Sequence, residues 1–333
     1  MGEWPVQLRV LSAEDIHQAI TMAQAIAAVQ EAFGQLSAGQ AVVPLRTPIE
    51  TNQGVTLVMP GYLRQSEEMA VKIVSVFAGN AARGLPTIMA LAVVIDAETG
   101  QPLAVMDGAY LTALRTGAAS GVATDLLARP DARTVAIFGA GVQGRTQLEA
   151  VCQVRDIEWV WVYDVVPEAA QQYATEMRQR GGRIPVEVCV ANSPGEAVRE
   201  ADVVCTATTS STPVFDGQDV TPGTHINGIG AYTPQMQEVP ASVVQQAKLV
   251  VDSRSGCLAE AGDILIPLRQ GLIDESHIHA ELGEIINGEK LGRERDNEIT
   301  FFKSVGNAVQ DVAVAACILH RAEEIGLGTL VDL

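Results

Sequence analysis

Between Ser12 and Gly39 the apolar residues Met22, Ile26, Val29, Phe33 and Leu36 recur at spacings of four and three, the stripe of one amphipathic helix. Ser12 with Asp15 starts it in the manner of a capping box, and Gly39 stops it. The period then changes. Val42 to Glu50, Gly54 to Pro60, Met69 to Phe77 and Ile88 to Asp96 are short runs rich in β-branched residues and bounded by Gly, Pro and Asn. Glu98-Thr99-Gly100 turns into a further run from Leu103 to Met106. A helix followed by a mostly antiparallel sheet is expected. Asp107-Gly108 then opens a long helical stretch through Leu111, Leu114, Ala118, Val122 and Leu126, halted by Pro130.

From Arg133 apolar strands alternate with helices: Thr134 to Phe138, Val142 to Val154, Glu158 to Tyr163, Pro167 to Gln179, Val186 to Val190, Pro194 to Glu200 and Val203 to Ala207. Strands near Thr224 to Ile229 and Lys248 to Asp252 follow. This alternation means a parallel sheet with helices on both faces. The segment from Ser304 to Gly326 is alanine-rich and apolar, which suits a helix packed back on the first domain.

Composition narrows the functions available. Asp plus Glu number 40 against 22 Lys plus Arg, a formal charge of -18, and a field of that sign repels phosphate backbones and anionic lipid. Neither nucleic acid nor a membrane is expected as a partner, and an anionic substrate would need its own cluster of cations. Glu3, Trp4 and Pro5 interrupt any signal-peptide pattern, and no apolar run is long enough to span a bilayer. A cytoplasmic protein is expected. The cysteines at 152, 189, 205, 257 and 317 are dispersed, with no C-x-x-C, and read as packing thiols.

Gly139-Ala140-Gly141-Val142-Gln143-Gly144 places G-x-G-x-x-G directly after a strand and at a helix start. The first glycine allows the tight turn, the second lets backbone approach a pyrophosphate, and the third lets helix and strand pack closely. The next strand ends at Asp164, 20 residues beyond Gly144, where an acid reaches a ribose 2′-hydroxyl. A carboxylate there, followed by Val165 and Val166, favours NAD(H) and leaves NADP(H) open.

Three cations stand where solvation explains them poorly. Arg46 interrupts the apolar run Val42-Val43-Pro44-Leu45, Lys72 shares a strand face with Val74 and Val76, and Arg115 lies between Leu114 and Thr116 of the long helix. Half-buried cations need an anion, and arginine offers a fork suited to a carboxylate. His277 and His279 lack H-E-x-x-H spacing, His225 reads as structural, and no G-x-S-x-G points to a serine hydrolase. No metal site is expected.

These segments in this order resemble the ornithine cyclodeaminase and mu-crystallin family, which includes alanine dehydrogenases and ketimine reductases. The resemblance rests on VPLRTPI around Arg46, AVKIVSVF around Lys72, RGLPTIMA from Arg83, DGAYLTALRTGAASGVAT from Asp107, IFGAGVQG from Ile137, HINGIGAYTPQMQE from His225, EAGDILIP from Glu260 and FFKSVGNAVQD from Phe301. It implies an α/β fold with two parts. Residues 117–306 would be an NAD(P)-binding Rossmann domain with a doubly wound parallel sheet. Residues 1–116 and 307–333 would be an α+β substrate-binding and dimerisation domain completed by the C-terminal helix. The active site would lie in the cleft, in a homodimer.

By the same resemblance Arg46, Lys72 and Arg115 would hold a substrate carboxylate. Thr87, Arg115, Gly139, Gly141, Val142, Gln143, Gly144, Asp164, Thr206 and the turn Ser304-Val305-Gly306 would contact the dinucleotide. Two departures separate this chain from the cyclodeaminases. Tyr232 stands in GAYTP where they, and alanine dehydrogenases of this type, place an aspartate, and a phenol cannot replace a carboxylate base. Val55-Thr56-Leu57-Val58-Met59-Pro60 has no acid to receive a distal ammonium, which is costly to leave unpaired in a closed site. The expected activity is NAD(P)H-dependent reduction of a small anionic cyclic imino acid, with Tyr232 as a candidate proton relay. Alanine dehydrogenase, ornithine cyclodeaminase and a mu-crystallin-like binding protein are the alternatives.

Overall fold

The computed structural model describes residues 6–333, so Glu3, Trp4 and Pro5 lie outside the described residues. The chain divides into two units, one made of the segment up to Arg115 with Asn307–Leu333, the other of Thr116–Gly306. The first runs through β1 (Gln7–Leu11), α1 (Ala13–Ala19), α2 (Met22–Ser37), β2 (Ala41–Val42), β3 (Thr47–Glu50), β4 (Val55–Leu63), β5 (Glu68–Val76), β6 (Ile88–Asp96) and β7 (Pro102–Asp107). Helix α3 (Gly108–Leu127) carries Arg115.

The second unit follows with β8 (Thr134–Phe138), α4 (Val142–Val154), β9 (Trp159–Tyr163), α5 (Pro167–Arg180), β10 (Val188–Val190), α6 (Pro194–Arg199) and β11 (Val203–Thr206). It continues with β12 (His225–Gly228), α7 (Ala241–Gln246), β13 (Lys248–Val251), α8 (Arg254–Glu260), α9 (Gly262–Arg269), β14 (Ile278–Glu281), α10 (Leu282–Ile286) and β15 (Thr300–Lys303). Helix α11 (Ala308–Ile325) and β16 (Thr329–Asp332) return to the first unit.

The segment expected as one helix is two, and the stripe from Met22 to Leu36 lies wholly on the second. Ser12 and Asp15 do form a capping box, but Thr21 and Gln24 form another, with Gln24 N donating to Thr21 Oγ1 and Thr21 N to Gln24 Oε1 at 2.9 Å. A side-chain oxygen that satisfies the first-turn amides makes a new helix start preferable to continuation there. The run expected as one strand from Val42 to Glu50 is likewise broken, at Pro44-Leu45-Arg46.

The sheet of the first unit has the order β16-β1-β7-β6-β5-β4-β2, with β3 on β4, and every pair except β1 with β7 is antiparallel. Its inner face, Met59, Ala70, Lys72, Val74, Ala92 and Met106 among others, is buried, with α11 lying on β4 and β5 and against α2. Strand periodicity turns the alternate residues outward. There Ile73 and Leu91 are direct cross-strand partners, 37% and 41% exposed, and Met89 is 45% exposed. This outer face is apolar and open.

The second unit is an eight-stranded parallel sheet ordered β10-β9-β8-β11-β12-β15-β13-β14. From β8 the chain first builds outward through β9 and β10, then returns to add β11 and β12 on the other side. The direction therefore reverses between β8 and β11, the switch point at which doubly wound sheets bind ligands. Buried residues fill both faces, including Leu148, Val151 and Tyr173 on one side and Val198, Val243 and Phe301 on the other. Among the described residues no helix is long and apolar enough to cross a membrane.

Candidate functional site

The glycine loop leaves the end of β8 at the switch point. Gly139 has φ 100°, and a Cβ there would lie 2.5 Å from the Ala207 carbonyl oxygen. A Cβ on Gly144 would lie 2.1 Å from the Gly139 oxygen, so this glycine lets α4 close on the turn. Gly141 differs: a Cβ there would meet no described atom within 4 Å. Its space opens toward solvent, and it is the N-cap of α4 without a side-chain cap among the described residues. Exposed Val142 and the following amides are thus presented as an anion cradle. The side-chain oxygen of Gln143 is buried without a hydrogen-bond partner among the described residues.

Asp164, at the end of β9, accepts from Ala140 N at 2.8 Å through Oδ2 and from Val166 N at 2.9 Å through Oδ1. Each oxygen keeps a second lone-pair direction, which suits the two hydroxyls of a ribose. Beside it lies a pocket of about 510 Å³ whose walls include Gly139, Gly141, Asp164, Val165, Thr208 and Pro213. A dinucleotide therefore fits this unit: two glycines are required by packing, and the third leaves room where backbone must approach a phosphate.

Thr206 and Ser304 stand differently from the direct contact expected of them. Thr206 is fully buried and its hydroxyl donates to Glu238 Oε2 at 3.0 Å. Ser304 is 2% exposed and donates to Asp252 Oδ2 at 2.7 Å; Val305 N and Gly306 N bond the same oxygen at 3.1 and 2.9 Å. Asp252 thus fixes the turn, whose half-buried part is Val305 and Gly306.

In the first unit the cations come together. Lys72 points inward from β5, opposite Met59 and Ala92, and its Nζ lies 2.8 Å from Asp311 Oδ1. Arg115 Nε lies 3.0 Å from the same oxygen, and its Nη1 donates to Gln310 Oε1. Burial pushes the Lys72 ammonium from 10.5 down to about 8; Asp311 pulls it up, while Arg115 and Arg46 push it down. Arg46 is therefore close enough for its charge to act on Lys72. Lys72 and Arg115 share one carboxylate, and Asp311 Oδ2 and Gln310 Nε2 are buried without a hydrogen-bond partner among the described residues. Thr87 is exposed just before β6, with its carbonyl bonded to Phe77 N at 2.9 Å.

Residues 6–326 match the family described as the ornithine cyclodeaminase/mu-crystallin family. The chain belongs to that family. It is 42% identical to a Δ(1)-pyrroline-2-carboxylate reductase of Bacillus cereus, over 97% of this chain and 99% of that protein. Among solved structures it is similar to Thermococcus litoralis Δ(1)-pyrroline-2-carboxylate reductase in complex with NADH and L-proline, at 47% identity and TM-score 0.93, covering 97% of this chain and 99% of the other. An archaeal alanine dehydrogenase dimer with bound NAD is 39% identical, with TM-score 0.91 over 98% and 99% of the two chains.

Within this member of the cyclodeaminase/mu-crystallin family, Tyr232 is 38% exposed, on the loop after β12. His225 is a buried structural residue: Nδ1 pairs with Thr300 Oγ1 at 2.9 Å and Nε2 with Asn227 Oδ1 at 3.2 Å, and burial pushes it down to about 3. Sequence reasoning missed Asp311. The available signal was an acid on the apolar stripe of α11, flanked by the buried residues Ala308, Val312 and Ala315.

Proposed function

We propose that this chain reduces cyclic ketimine acids with NADH, converting Δ1-pyrroline-2-carboxylate or Δ1-piperideine-2-carboxylate to L-proline or L-pipecolate. The observation that carries this reading is the buried group Lys72, Arg115 and Asp311. Two buried cations against one anion leave a positive excess suited to a single carboxylate, and paired charges are the form in which burial is tolerated. Leu57, Val58 and Met59, which lead into Pro60, offer no acid for a distal ammonium, so a neutral ring suits this surface better than ornithine does.

Arg46 and Arg115 clamp the carboxylate, and Lys72 hydrogen-bonds it beside the reacting carbon. The protonated imine is the electrophile, and Asp311 Oδ2 is the acceptor available to its N–H. Gly141 and the start of α4 hold the pyrophosphate, and Asp164 holds the adenosine ribose. The dinucleotide, when bound, would supply a hydride to the imine carbon, the π pair of the C=N bond passing to the nitrogen, which keeps its proton. Orientation supplies much of the acceleration.

A homodimer joined through the open sheet face around Ile73, Met89 and Leu91 is part of the same reading. Loss of NADH absorbance on adding Δ1-pyrroline-2-carboxylate tests the activity, with pyruvate plus ammonia and L-ornithine as comparison substrates. Turnover with the cyclic imine at the highest kcat/KM is expected. Ammonia release from ornithine without net NADH change, and no oxidation with the imine, would overturn the proposal. Preference for pyruvate plus ammonia would make the chain an alanine dehydrogenase.

A further inference from the structure

Glu238 is fully buried just before α7, and four donors converge on it. Thr208 N and Thr208 Oγ1 donate to Oε1 at 2.6 and 2.8 Å. Thr206 Oγ1 and Ala231 N donate to Oε2 at 3.0 and 2.9 Å. One carboxylate therefore joins two segments: the wall of the dinucleotide pocket at Thr208, and the loop leading to Tyr232. The backbone reinforces the first link, since Val214 N donates to the Glu238 carbonyl at 2.9 Å and Gln237 N to the Ser210 carbonyl at 3.1 Å.

Behind it the restraint continues. Asp263 Oδ1 accepts from Glu238 N and Val239 N at 2.7 and 3.0 Å, and Asp263 Oδ2 lies 2.9 Å from Lys303 Nζ, with both side chains at 0% exposure. Lys303 ends β15 and immediately precedes the Ser304-Val305-Gly306 turn. A buried line of polar groups thus runs from the pocket wall through Glu238 and Asp263 to that turn.

We propose that Glu238 is a positioning residue for dinucleotide binding, holding the pocket wall and the Tyr232 loop in one register through two acceptor oxygens that no amide can replace. The inference rests on the reading of this unit as an NADH site. Its physical basis is the identity of the donors. A hydroxyl can rotate to become an acceptor, but a backbone N–H cannot, and each oxygen of Glu238 faces one backbone N–H. Glutamine keeps the shape but offers one oxygen and one NH₂. In either orientation a buried backbone donor then faces another donor, and either Thr208 or Ala231 is released.

NADH affinity by fluorescence titration, set beside thermal unfolding, tests this in the full-length protein. Glu238→Gln should raise the NADH Kd at least about tenfold, the cost of one unmade buried hydrogen bond. Thr206→Val removes one donor without touching the pocket surface and should raise it by about threefold to tenfold. Val244→Ala, a buried truncation in the same unit, serves as a control that lowers stability and should leave the Kd unchanged. A Kd within about twofold of wild type in folded Glu238→Gln would overturn the inference; if that variant does not fold, an unchanged Kd in Thr206→Val would do so. A rise in Kd equal to that of a Val244→Ala protein of matched stability would also overturn it. Failure of the wild-type chain to bind NADH would overturn the functional reading and this inference together.

Discussion

Lys72 Nζ and Asp311 Oδ1 are 2.8 Å apart, with side-chain exposures of 1% and 3%. The residues lie 239 positions apart, one on a central strand and one on the last long helix. Their pairing is what keeps an ammonium in the core of the first unit, since burial alone works against its charge. The carboxylate also takes Arg115, so one anion organises two of the three cations assigned to the substrate.

The pH dependence follows from Lys72. Its proton is needed to hold a carboxylate and is lost as pH rises through about 8, so kcat/KM for the cyclic imine should fall above that pH. Asp311→Asn removes the attraction that raises the lysine and should move this limb to lower pH. Stability responds with the opposite sign. The folded value lies below the ordinary 10.5, so the contribution of this lysine is most favourable above 10.5 and is lost as pH falls to about 8. A kcat/KM profile flat from pH 7 to 9 would contradict this assignment.

Lys72→Met should separate the two binding tasks. Turnover should fall by about a hundredfold or more, the order expected when a positioning charge beside the reacting carbon is removed. NADH affinity should stay within about twofold of wild type, a difference below half a kcal/mol. Stopped turnover with NADH affinity also lost would mean that Lys72 serves the dinucleotide.

Two glycines of one motif should fail in different ways. Gly144→Ala forces a Cβ to 2.1 Å from the Gly139 oxygen and should lower the melting temperature markedly or prevent folding. Gly141→Ala meets no described atom within 4 Å and should melt close to wild type while losing NADH affinity by about tenfold or more. Calorimetry beside dinucleotide titration distinguishes the two.

Asp164→Asn tests cofactor choice. The carboxylate repels a 2′-phosphate, so its neutralisation should shift the ratio of kcat/KM for NADPH over NADH upward by about tenfold. Part of that shift should come from weaker NADH use. Its two oxygens accept from Ala140 N and Val166 N, and an amide can serve only one of these donors.

Ile73→Lys combined with Leu91→Lys places two like charges directly opposite on the open apolar face. On the proposed homodimer, the wild-type chain should sediment as a dimer and the double variant, at the same concentration, as a monomer. Unchanged sedimentation would move the subunit contact elsewhere.

Much of this was legible in the chain. β8 at Thr134–Phe138 and α4 at Val142–Val154 coincide with the segments read from periodicity, and Lys72 faces inward with Val74 as strand alternation requires. The break at Thr21 is marked in the sequence by its own capping-box pair, Thr21 and Gln24, and by a stripe that begins at Met22; reading the earlier pair Ser12 and Asp15 as the start of the same helix hides it. β1 and β16 are short strands paired with each other across almost the whole chain, and periodicity carries no information about such a partner. Asp311 and Glu238 escaped for a related reason. Each acts by what the fold brings to its oxygens, whereas the glycine motif and Asp164 act through a spacing along the chain.

The alternation of β5 carries a further consequence. Lys72 faces the buried side and Ile73 the open side, so adjacent residues of one strand serve the proposed substrate site and the proposed subunit contact. A one-residue slip, such as an insertion in the turn at Arg64–Glu67, would turn the strand over, exposing the lysine and burying the isoleucine. Chemistry and assembly would then be lost in one step, so any genetic change that shifts this parity is selected against twice, and neither property can drift in this strand independently of the other.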